Sequence, residues 1–119
     1  MTCSICIIST KSPYRGHSAK EALDTVMTSL SYHIPTNLLL MGDGVYQIVA
    51  AQSPEQLPRK NLTALFKSLA LYGIDKVYVD EAAMTERNLN AEQLLPNHKI
   101  LTTLQLRTLL NKHNKIMSF

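Results

Sequence analysis

Apolar residues in this chain come in two rhythms, short unbroken runs and runs that repeat every three or four positions, and the two alternate from one end to the other. The clearest unbroken run is Leu38-Leu39-Leu40-Met41, which stops at Gly42-Asp43-Gly44. Such a run fits a strand covered on both faces, as in a parallel sheet, and the two glycines demand a turn. Asp43 stands where its carboxylate could accept hydrogen bonds from the unpaired amides of a helix begun by Gly44-Val45-Tyr46-Gln47. The segment therefore predicts a strand whose carboxyl end opens onto a helix N-terminus, the end of an α/β sheet where ligands and partners are met.

The same reading extends along the chain. Cys3 to Ser9 is rich in β-branched residues and ends at Thr10-Lys11-Ser12-Pro13, which predicts a first strand and a loop. Ser18 with Glu21 has capping-box spacing, and Ala19, Ala22, Leu23, Val26, Met27 and Leu30 follow at helical intervals, so a helix is expected from Ala19 to Tyr32. Ile34-Pro35 is expected to end it. Val45, Ile48 and Val49 form the apolar side of a short second helix, and Gln52-Ser53-Pro54 and Leu57-Pro58 punctuate the connection beyond.

A helix capped by Asn61 and carrying Leu62, Leu65, Phe66, Leu69 and Ala70 is expected to stop at Gly73. Ile74 to Asp80 reads as a third strand. A helical turn from Glu81 to Arg87 is broken by Asn88-Leu89-Asn90, and Asn90 with Gln93 boxes a short helix before Pro96. His98 to Thr102 is a fourth strand. Thr102 with Gln105 opens a last helix carrying Leu106, Leu109 and Leu110, and Lys115 to Phe119 is a terminal strand. Five strands alternating with helices predict a three-layer α/β/α fold whose five-stranded sheet is mainly parallel. Strand order is not encoded in the periodicity.

At 119 residues, 45% apolar and 18% charged, the chain has enough apolar residues for one core, and it is read as a single domain over residues 1–119. The net charge of +3 is carried by basic residues such as Lys11, Arg15, Lys20, Arg59, Lys60, Lys67, Lys112 and Lys115, with no long cluster, so direct nucleic-acid binding is not expected. The N-terminus has no basic region before its apolar run. No stretch approaches the roughly 18 apolar residues of a membrane span, and a cytoplasmic location is expected.

Cys3 and Cys6 have the spacing of a redox Cys-x-x-Cys, but within a strand two residues three apart point to opposite faces. They read as buried structural cysteines rather than a redox or zinc pair. The loop from Lys11 to Ser18 lies between a strand and a helix start, where Lys11, Arg15 and Ser18 form a candidate anion site, yet it lacks the Gly-Lys-Ser/Thr of a P-loop. His17 has no adjacent nucleophile and reads as a solvent-facing or capping residue. His33, His98 and His113 show no metal spacing and read as surface residues. Asp43 and the Asp80-Glu81 pair are read as helix-dipole partners rather than catalytic acids.

Four segments in register carry a family likeness. Gly16 followed by Glu21-x-Leu23-Asp24, Gly42-Asp43-Gly44-Val45-x-Gln47, Phe66-Lys67-x-Leu69-x-Leu71-Tyr72-Gly73-Ile74 and the closing Ile116-x-x-Phe119 resemble the TusC, DsrF-like branch of the DsrE/DsrF/DsrH sulfur-relay family, along the entire chain. That resemblance implies a place beside TusB-like and TusD-like subunits in a dimer of heterotrimers. It implies a relay that takes persulfide sulfur from TusA to TusE for 2-thiolation of transfer-RNA wobble uridine, with the active cysteine on the TusD-like subunit.

No catalytic residue, metal ligand or cofactor is carried over to this chain. The chain has no cysteine after Cys6, so no later loop can offer a thiolate. On this reading Asp43, Gly44, Val45, Tyr46, Leu71 and Tyr72 are the candidate partner interface. Three alternatives remain: a DsrEFH-like role in sulfur oxidation, a small flavodoxin-like module that binds anions or nucleotides, and a homo-oligomeric sulfurtransferase using Cys3 or Cys6.

Overall fold

The computed structural model describes residues 4–12, 17–49, 77–94 and 98–119. In chain order these form β1 (Ile5–Ser9), α1 (Ser18–Ser31), β2 (Thr36–Leu40), a 3-10 segment (Gly42–Ile48), β3 (Val77–Asp80) and α2 (Glu81–Glu86). A 3-10 turn (Ala91–Gln93), β4 (His98–Leu101), α3 (Thr103–Asn111) and β5 (Lys115–Ser118) complete the series. The expected helix from Asn61, the prolines before it and the start of the third strand at Ile74 lie outside the described residues.

All five strands belong to one sheet in the order β4-β3-β2-β1-β5, and every pairing is parallel. The chain moves from β1 through β2 and β3 to β4 in one direction, then returns across the sheet to place β5 on the far side of β1. Right-handed crossovers put helices of like direction on one face and the helix of the return on the other. The packing follows that rule: α1 and α2 bury Ala22, Leu23, Val26, Ala83 and Met84 against Ile7, Leu38, Leu40 and Val79, whereas Leu106 and Leu109 of α3 meet Cys6, Leu39 and Leu101 on the opposite face.

β2 is the middle strand, and Leu38, Leu39 and Leu40 are fully buried, alternating between the two cores. Burial of each such side chain is worth about 1.5–3 kcal/mol, so this unbroken apolar run fixes the centre of the sheet.

The helix ends show where local chemistry departs from expectation. α1 begins one residue earlier than a Ser18 cap requires: His17 is the N-cap, with no side-chain capping bond, and the Glu21 amide donates to the His17 carbonyl at 2.9 Å. Ser18 is already helical, so the predicted box with Glu21 is out of register. At the other end, Pro35 is not what stops the helix. His33 adopts φ 60°, its amide donates to Leu30 at 2.9 Å, and the Ile34 amide donates to Ser29 at 3.0 Å. This is a Schellman closure with histidine in the left-handed position that glycine usually takes.

Asn88, at φ 54°, closes α2 in the same way through bonds from Asn88 to Thr85 and from Leu89 to Met84. The capping box expected at α3 is present: Thr102 Oγ1 accepts from the Gln105 amide at 3.3 Å, and Gln105 Oε1 accepts from the Thr102 amide at 2.9 Å.

Candidate functional site at the carboxyl ends of the strands

The turn after β2 is seated directly on the end of β1. Gly42 takes φ +53°, and a Cβ on Gly44 would overlap the carbonyl of Ser9 and come within 3.3 Å of the Thr10 Cα. Only glycine permits this approach. The Met41 amide donates to the Ser9 carbonyl at 3.1 Å, and Gln47, fully buried, uses Nε2 to donate to Ser9 Oγ at 2.7 Å and to the Lys11 carbonyl at 2.9 Å. From the other side, the Phe119 carbonyl accepts from the Thr10 amide at 3.1 Å and from Thr10 Oγ1 at 2.8 Å. The exit of β1 is thus clamped between the turn after β2 and the last residue of the chain.

Gln47, named in the sequence only as part of the turn motif, is a structural position whose buried bonds to the end of β1 sequence reasoning did not assign. Its signal was a long polar side chain set between the apolar Val45 and Ile48, which is costly unless the amide finds buried partners.

Asp43 does not cap a helix. The segment it was expected to open is a 3-10 helix whose N-cap is Met41, and Asp43 lies inside its first turn. Its Oδ1 instead accepts two hydrogen bonds from Arg87, from Nε at 3.1 Å and Nη2 at 2.9 Å. Arg87 Nη1 also donates to the Ala83 carbonyl at 3.1 Å, so the guanidinium joins α2 to the turn. The hydrogen bonds from Arg87 to Asp43 hold that guanidinium even more firmly protonated than usual. The capping role falls to Asp80, whose Oδ1 accepts from the Ala82 amide at 3.2 Å at the start of α2.

The candidate anion residues are partly brought together. Lys11 and Ser18 line a hollow of about 370 Å³ with Thr10, Ser12 and Asp43, while Arg15 lies outside the described residues. The carboxylate of Asp43 in the same wall opposes an anion there. Of the candidate interface residues, Asp43 and Tyr46 are exposed, whereas Gly44 and Val45 are buried within the chain's own core, and Leu71 and Tyr72 lie outside the described residues. Gly44 and Val45 therefore hold the turn in place instead of presenting side chains.

From the carboxyl ends of β3 and β4, α2 leaves toward one face of the sheet and α3 toward the other. The polar side chains there, Asp80 and Thr102, are both taken up as helix caps. Cys6 points into the α3-side core with no exposed surface, and burial pushes its thiol up to about 11. At neutral pH its thiolate is scarce and out of reach. Cys3 lies outside the described residues.

His33 and His17 are exposed. His113, expected at the surface, is half-buried: Nδ1 donates to the Leu109 carbonyl at 2.7 Å, which leaves Nε2 to accept from Asn37 Nδ2 at 2.8 Å. It ties the end of α3 to β2. Among the described residues no group of His, Cys, Asp and Glu side chains could hold a metal ion, and no helix is long and apolar enough to cross a membrane.

A parallel five-stranded sheet with helices on both faces, built around a glycine turn, defines a three-layer α/β/α class of protein. Comparison with known proteins places it further. A model of the DsrE/DsrF-like family matches residues 4–119, and the chain belongs to that family. It is 34% identical over 118 residues to a TusC homolog of Pseudomonas aeruginosa, covering 99% of each chain. It is 31% identical to a TusC homolog of Vibrio vulnificus, covering 90% of this chain and 91% of that protein. A TusC protein of Buchnera aphidicola is 28% identical, with coverage of 97% and 98%. The crystal structure of the ychN protein from E. coli superposes over both complete chains with a TM-score of 0.85 at 20% identity, a likeness of fold.

Proposed function

We propose that the chain is a non-catalytic subunit of a cytoplasmic sulfur relay, assembled with TusB-like and TusD-like chains as a dimer of heterotrimers. On this reading the complex passes persulfide sulfur from TusA to TusE for 2-thiolation of the wobble uridine of transfer RNA. This chain contributes surfaces rather than a sulfur atom. Full-length similarity to proteins named TusC supports the relay. The observation that carries the division of labour is Cys6, buried and held as a thiol. A sulfur carrier needs an accessible thiolate to attack a sulfane sulfur, and Cys6 is neither.

The partner contacts are assigned to the turn after β2 and to Leu71 and Tyr72. Asp43 and Tyr46 present side chains from a turn that the Gly44–Ser9 approach and the Gln47 bonds hold rigid, so little ordering is required on docking. Co-expression with TusB-like and TusD-like chains is expected to yield a complex of all three. Tyr46→Ala, Tyr72→Ala and charge reversal at Asp43 are expected to weaken retention of the TusD-like chain. Full assembly in all three variants contradicts this interface, and a chain that purifies only with itself contradicts the subunit role.

A further inference from the structure

The net charge of +3 hides an asymmetry. From Gln93 to the end the sequence contains no aspartate or glutamate, while Lys99, Arg107, Lys112 and Lys115 all fall there, so those four exceed the excess of the whole chain. The fold gathers two of them. Lys99 on β4 pairs in register with Tyr78 on β3, placing both on the α3 side of the sheet, and Lys112 follows directly on α3. Lys99 and Lys112 line a hollow of about 220 Å³ whose floor is Tyr78, Leu101 and Leu109, with Gln105 on the rim. No carboxylate lines it among the described residues.

We infer that this face is a docking surface for an acidic, partly apolar segment of a partner protein, with a carboxylate seated between Lys99 and Lys112 and an apolar side chain on the Tyr78–Leu101–Leu109 floor. Two cations that face no acid among the described residues attract a carboxylate at the rim and set orientation. The apolar floor of Tyr78, Leu101 and Leu109 favours a peptide in which acidic and apolar side chains alternate over the uniformly charged backbone of RNA, which such a floor does not reward. The surface lies on the opposite face of the sheet from α1 and α2 and does not depend on the sulfur-relay reading.

The test is a titration of the full chain with a short fluorescein-labelled peptide in which Glu alternates with Leu and Phe, followed by anisotropy and by amide NMR. A peptide with Lys in place of Glu and an unmodified transfer RNA serve as competitors. The expected result is saturable binding of the Glu peptide that weakens with salt, shifts at Lys99, Gln105 and Lys112, and a loss of about tenfold in affinity in Lys99→Glu/Lys112→Glu, given two exposed pairs. Both lysines are exposed, so that variant is expected to fold; Lys99→Gln/Lys112→Gln gives an intermediate loss, and Lys11→Glu gives none. Absence of Glu-peptide binding, equal affinity for the Lys peptide, shifts confined to other residues, or tighter binding of the RNA overturns the inference.

Discussion

The α-carbon of Gly44 stands so close to the end of β1 that any side chain on it would overlap the carbonyl of Ser9. Backbone on one side and backbone on the other leave nothing flexible to give way. Gly44→Ala is therefore expected to destabilise the chain by about 1–3 kcal/mol or more, as overpacking does in a filled core. Gly42 has the positive φ but more room, its Cβ position being 3.7 Å from the Thr10 carbonyl oxygen. Gly42→Ala is expected to cost only about 1–2 kcal/mol of backbone strain. Urea denaturation of the two variants checks the order.

Asp43 and Arg87 hold a different lesson. The aspartate side chain is 50% exposed and the arginine 20%, so the pair is screened on one side. A double-mutant cycle with Asp43→Asn and Arg87→Ala is expected to give a coupling of about 0.5–1 kcal/mol that shrinks with added salt. Arg87→Ala alone is expected to cost more than Asp43→Asn, because it also removes the bond to the Ala83 carbonyl.

His33 closes α1 in a conformation that disfavours a Cβ. Its side chain is exposed, so replacing it removes strain and loses little else. His33→Gly is expected to raise stability by up to about 1 kcal/mol, the left-handed penalty offset in part by the added freedom of the unfolded chain. A higher denaturation midpoint with an unchanged slope is the expected reading.

Much of this architecture is written in the order of the residues. The leucine run from Leu38, the β-branched stretch around Ile7 and the spacing of Ala22, Leu23 and Val26 each specify an element because burial on one or two faces leaves a period behind. The box of Thr102 and Gln105 was legible because both partners are local. Strand order was not, since nothing within β5 says that it returns to lie beside β1.

The roles of Asp43 and Gln47 were hidden for the same reason: the partners are Arg87, Ser9 and Lys11, all distant in the chain. The box expected at Ser18 failed by one residue, a shift that side-chain spacing alone cannot resolve.

Cys6 gives a pH dependence with a definite sign. Its folded value of about 11 lies above the ordinary 9.0, so the folded chain holds the proton more tightly than the unfolded chain does. Below about pH 9 both states are protonated and the contribution is fully present. As pH rises through about 11 it is lost, a change of about 2–3 kcal/mol. Cys6→Ala is expected to lose less stability than the native sequence between those two pH values, and parallel unfolding curves across that window measure the difference.

The central claim is that this chain relays no sulfur through its own thiols, and persulfide loading tests it directly. The native chain is exposed to a persulfide donor, alone and with TusB-like and TusD-like partners, and the loaded cysteines are mapped by mass spectrometry. The account predicts no transferable sulfur on Cys6 or Cys3 and loading on the TusD-like chain. Sulfur retained on either residue, passed onward, and lost in Cys6→Ser or Cys3→Ser contradicts it.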